Sequence, residues 1–138
     1  MTASRLILKI STAVAICIAA AGTGAASAGE RPATDVFMTF YEGGDIPLRY
    51  GNSSYGKKHI EEGHKAQINR VGGWDNMALD ISHTLNGGKC GASAGKTTCN
   101  LTSPDFHGGF GKMRVVYVES ANGMPDGRPK GIITAFYP

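Results

Sequence analysis

The sequence predicts an α+β domain, with N-terminal helices packed on a C-terminal antiparallel sheet and one disulfide-stapled loop. Three observations predict it. Trp74, Met77, Ala78, Ile81 and Leu85 recur at spacings of three and four, as residues on one apolar helix face do. Met113 to Glu119 is rich in valine and reads as the clearest strand, and a Gly/Pro-rich turn over 121–130 separates it from a closing strand, Gly131 to Tyr137. Cys90 and Cys99 flank a small, polar segment.

The chain begins like an export signal: Arg5 and Lys9 precede an apolar run from Ile10 to Ala21, and Ala26-Ser27-Ala28 fits a small-x-small cleavage site. Cleavage before Gly29 would give a secreted or periplasmic protein. The apolar run is shorter than the roughly 20 residues a permanent span needs, so no membrane anchor is expected after cleavage. Cys17 would leave with the signal. The remaining 110 residues suit one domain with a modest core. The signal holds two of the 14 Lys and Arg and none of the 11 Asp and Glu, which leaves a net charge of +1. Charge alone therefore does not argue for nucleic acid, and any attraction for phosphate would have to be local. Lys57, Lys58 and Lys65 around a histidine pair, with Lys112 and Arg114 brought near by the fold, are the candidates; solvated surface lysines are the plainer alternative.

Residues 29–45 read as a loose leader followed by a first strand, Val36 to Tyr41, ended by Gly43-Gly44; the main domain is taken as 46–138. Ile46 to Tyr50, with Pro47 inside it, reads as a short edge strand. Ser53 or Ser54 is placed to cap a helix running to about Glu62, with Gly63 as its stop. The second helix follows over Trp74 to Leu85 and ends at Asn86-Gly87-Gly88. Residues 86–111, rich in Gly, Ser, Thr and Asn, read as a long loop. Export puts Cys90 and Cys99 in an oxidising setting where the two would pair and close a short loop, worth about 2 to 3 kcal/mol. Their spacing is wider than that of a redox C-x-x-C pair.

Lys57-Lys58-His59-Ile60-Glu61-Glu62-Gly63-His64 carries the strongest chemical signal. Two imidazoles can supply a general base and a general acid near neutral pH. Five residues apart on an unbroken helix they would sit about 140° from each other, a poor metal pair, but a break at Gly63 would let His64 fold back beside His59. His83 and His107 have no clustered ligand spacing with them, so neither a metal nor a cofactor is expected. Gly95-Lys96-Thr97 lacks the earlier glycine of a phosphate loop, since position 90 is Cys90. In the closing strand, alternation puts Thr134 opposite Ile133 and Tyr137 unless the strand bulges. Thr134 would hold a phosphate or base edge and Tyr137 would stack on or orient a nucleotide; alternatively, both are strand and core residues.

Gly56-Lys57-Lys58-His59-Ile60 with His64, an amphipathic helix, a valine-rich strand and a terminal Thr134-Ala135-Phe136-Tyr137-Pro138 together resemble the bacterial EndoU-type nucleases of the barnase, EndoU, colicin and RelE-like RNase superfamily, over roughly residues 50–138. The resemblance implies an RNA substrate, His59 and His64 as base and acid, and Thr134 and Tyr137 in the substrate site; Lys58 and Arg114, from the local charge reading, are the further substrate-binding candidates. It also implies a cation to stabilise the phosphate, for which Lys112 is the candidate. The ending carries one extra aromatic, so either Phe136 or Tyr137 holds the family position. The expected activity is a secreted, metal-independent endoribonuclease leaving a 2′,3′-cyclic phosphate, with an antibacterial toxin and its immunity protein as the biological setting. A disulfide-stapled binding or inhibitor module without catalysis is the alternative.

Overall fold

The computed structural model describes residues 30–138; the expected signal peptide lies outside them. The chain forms β1 (Val36–Phe40), β2 (Ile46–Arg49), α1 (Gly56–Arg70), α2 (Trp74–Gly87), β3 (Lys89–Ser93), β4 (Lys96–Thr102), a 3-10 turn (His107–Gly109), β5 (Lys112–Val118) and β6 (Gly131–Phe136). β1 and β2 pair antiparallel as a small separate sheet, and β3-β4-β5-β6 form an antiparallel meander. This is the expected α+β arrangement, and Cys90 and Cys99 are disulfide-bonded. Arg31–Pro138 is one compact unit that includes β1, so the first strand belongs with the rest of the domain. No helix among the described residues is long and apolar enough to cross a membrane.

The core lies between the helices and one face of the meander. Met77, Ile81 and Leu85 of α2 and Ile60 and Ile68 of α1 pack with Met113, Val115, Tyr117 and Ala135, all of them buried. The spacing that predicted α2 is the spacing that fills this core. Two sequence expectations need correction. The first helix breaks at His64, one residue past the expected stop at Gly63, but α1 then resumes and continues to Arg70, because Ile68, two turns beyond Ile60, is drawn into the same core. That burial outweighs the roughly 1 kcal/mol a helical glycine costs.

The second correction concerns residues 86–111, where the expected loop contains the β3–β4 hairpin. Cys90 lies directly opposite Cys99, and β4 is held along its length by β5. Gly, Ser and Thr composition read as loop, yet pairing to an adjacent strand overrides weak local preference. At the start of β6, Gly131 has φ +80°, and any side chain there would collide with the Pro47 carbonyl. Its missing Cβ lets β6 run close against β2.

Candidate active site

Both histidines come from α1. The Nδ1 of His59 lies 2.7 Å from the Ser53 carbonyl oxygen. A carbonyl can only accept, so Nδ1 carries the proton and donates it, and Nε2 is the nitrogen left for another partner. The helix breaks at His64 itself, where φ −137° and ψ 24° leave the helical region, one residue later than the expected break at Gly63. The break turns the His64 ring onto the closing strand, where it stacks on Phe136 with ring centroids 4.8 Å apart and planes 8° from parallel. Burial, with a smaller contribution from the nearby His59 charge, holds the His64 imidazole below its ordinary pKa.

Phe136 stands on the face of the meander that looks away from the core. In register, Arg114 pairs with Phe136 and Val116 with Thr134, while Val115 and Ala135 point into the core. A register shift between Val116 and Tyr117 absorbs Ile133, and beyond it Thr134 and Phe136 share the outer face. The Arg114 guanidinium carbon lies 5.9 Å from the Phe136 ring centroid, and its Nε donates to Asn100 Oδ1 at 2.9 Å. Thr134 Oγ1 is buried and, among the described residues, is the one buried side-chain polar atom without a hydrogen-bond partner. Stranding a hydroxyl this way costs about 1 to 3 kcal/mol.

Tyr137, expected in the substrate site, is turned the other way. It is 3 % exposed, its ring stacks on Phe110 with centroids 4.1 Å apart, and its hydroxyl donates to Asp80 Oδ2 at 2.6 Å. Burial and the Asp80 carboxylate push its phenol above the ordinary range. Of the two candidate aromatics, Phe136 meets the histidine and Tyr137 belongs to the core. The same fully buried Asp80 accepts from the His107 backbone N–H at 3.0 Å and lies 2.7 Å from His107 Nδ1, which ties α2 to the 3-10 turn.

Lys112 is exposed at the start of β5, opposite Thr102 and two residues before Arg114, so Arg114 is the cation on Phe136. Lys58 is exposed in the first turn of α1 next to His59. Sequence reasoning missed Asn100 and Gln67. The Gln67 amide donates to the Tyr137 carbonyl at 2.8 Å and accepts from the Tyr137 N–H at 3.0 Å. Only the strand register and the continued helix reveal these two.

The chain matches no protein-family model, and no curated protein is significantly similar to it in sequence. The functional reading rests on the geometry of the site and on the residues that form it.

Proposed function

We propose that the domain is a metal-independent endoribonuclease. The observation that carries this reading is the His64–Phe136 stack, because it brings an imidazole of α1 onto the sheet face that holds Arg114 and the unpaired Thr134 hydroxyl. The chemistry follows from the surroundings of each ring. The environment of His64 favours its neutral form, which suits removal of the proton from a ribose 2′-hydroxyl. His59 donates Nδ1–H to a carbonyl, an arrangement that fixes the ring and leaves Nε2 to face a leaving 5′-oxygen, to which His59 would give a proton as the general acid. As the 2′-oxygen bonds to phosphorus, the bond from phosphorus to the 5′-oxygen breaks. One proton passes to His64 and another leaves His59, and the product carries a 2′,3′-cyclic phosphate.

Arg114 offsets the charge that gathers on the phosphate oxygens, and Thr134 gives the substrate a hydrogen bond. DNA lacks the 2′-hydroxyl and would resist cleavage. Export, as the first 28 residues read, makes an antibacterial toxin with a dedicated immunity protein the fitting biological role.

Purified mature protein incubated with RNA in chelator should yield cyclic-phosphate ends, and His59→Ala or His64→Ala should slow cleavage by about 10²-fold or more. Intact RNA, or histidine variants as active as the parent, would refute the reading. One observation favours the rival binding module: all five residues of β3 are exposed at the sheet edge, where a partner strand could add. That reading expects function to survive loss of both histidines and to fail on changes in the hairpin.

A further inference from the structure

We propose that the outer face of the four-stranded sheet is a track for single-stranded RNA, running from His64 to a phosphate subsite between Lys89 and Lys112. The identity of the ligand rests on the nuclease reading; the track itself rests on strand register. Lys89 pairs with Asn100, Asn100 with Arg114, and Arg114 with Phe136. These four residues form one row straight across the sheet, and the row ends under the His64 ring. It spans three strand spacings, about 14 Å.

The parity that places Arg114 on this face also places Lys112 there from β5 and Lys96 from β4. The face therefore carries Lys89, Lys96, Lys112 and Arg114, and the four strands contain no Asp or Glu. The three lysines are exposed, and among the described residues none of them forms an ion pair. Four like charges within about a Debye length or two reinforce one another, and no carboxylate of these strands offsets them.

A cavity of about 430 Å³ opens at the far end, lined by Lys89, Lys112, Asn100, Thr102, Leu101 and Gly87. Two ammonium groups with an amide and a hydroxyl are a donor set for phosphate oxygens. Asn100 belongs both to this cavity and to the hydrogen bond that holds Arg114, so the subsite and the cleavage site share a residue. Phe136 supplies an aromatic and Arg114 a guanidinium plane, the elements that single strands use for stacking.

The test separates binding from cleavage. Affinity of the His59→Ala protein for a fluorescent single-stranded RNA octamer is measured across a salt series, with and without K89Q and K112Q. The double variant should bind more weakly, and its slope of log K against log salt should shrink by about 1.4, or about 0.7 for each phosphate that is no longer neutralised. With His59 intact, K89Q should lower kcat/KM on the octamer about 10-fold and leave a dinucleotide substrate unaffected.

An unchanged slope overturns the track, and so does an equal change from K130Q, since Lys130 lies over Tyr55 and not on this face. Loss of dinucleotide cleavage in K89Q also overturns the subsite. If the slope falls as expected while the parent protein leaves RNA intact, the track stands and the nuclease reading fails. If RNA is cleaved and the slope does not move, the reverse holds.

Discussion

Thr134 keeps a buried hydroxyl with no partner inside the protein, and that cost makes its role testable. Thr134→Val keeps the shape and removes the stranded group. Its Tm should hold or rise, while KM for RNA increases several-fold; a lower Tm with an unchanged KM would make the hydroxyl a packing feature. His64 gives a second prediction. Its fold favours the neutral ring, so the acid limb of kcat/KM should have its midpoint below about 6.5, the ordinary imidazole value. The same sign applies to stability. The unfolded chain takes up this proton near 6.5 and the folded chain only at lower pH, so stability falls as pH drops through that interval. A midpoint above 6.5 in the pH–rate profile would remove His64 as the base. At this scale the histidines, Thr134 and Arg114 were legible as chemistry-bearing types. Whether Phe136 or Tyr137 met the imidazole was not, because adjacent strand residues face opposite sides and the sequence alone does not say which side is the core.

The elements add two dependences that single residues do not show. Gln67 acts as a substitute strand partner for Tyr137, bonding both its N–H and its carbonyl, one turn of α1 beyond the break at His64. Gln67→Met should loosen the stack on Phe136. The carbon-bound ring protons of His64 should lose their upfield ring-current shift in NMR spectra, and kcat should fall about 10-fold or more with KM less affected. A merely structural Gln67 would lower Tm and leave the His64 shifts in place. The disulfide belongs to the other end of the sheet. Replacing both cysteines by serine should cost about 2 to 3 kcal/mol in urea unfolding. It should leave dinucleotide cleavage near the parent rate, because β6 and α1 do not depend on the β3 edge. Helix α2 and strands β5 and β6 could be read from periodicity. The β3–β4 hairpin and the second half of α1 could not, since each is stabilised by partners distant in sequence.

Across the whole molecule, one buried cation fastens the long β5–β6 connection to the small sheet. Arg49 of β2 is fully buried; it donates to Asp126 at 2.8 and 2.9 Å and to the carbonyls of Thr34, Arg128 and Pro129. Arg128 in turn holds Asp45. Hydrogen bonds from Arg49 lower the Asp126 carboxyl to about 2. Its folded pKa lies below its unfolded one, so its stabilisation is complete above about 4 and is lost as pH falls toward 2. Thermal melts from pH 5 to 2 should show this acid limb, and Asp126→Asn should flatten it; an unchanged limb would mean other carboxylates control acid unfolding.

Periodicity and residue chemistry are local properties, and they were enough for the fold class, the cysteine pair, the amphipathic α2, the terminal hairpin and a pair of imidazoles. Composition added a net charge of only +1 for the expected mature chain and no reason to favour a polyanion. Where that charge sits is a property of the folded molecule, since strand register gathers Lys89, Lys96, Lys112 and Arg114 on one face while the acidic residues fall outside those strands. Packing likewise determines that the helix breaks at His64, that Phe136 receives the ring and that Tyr137 enters the core. Burial of Ile60 and Ile68 against the sheet fixes the path of α1, and those contacts exist only once strands far apart in the chain have paired.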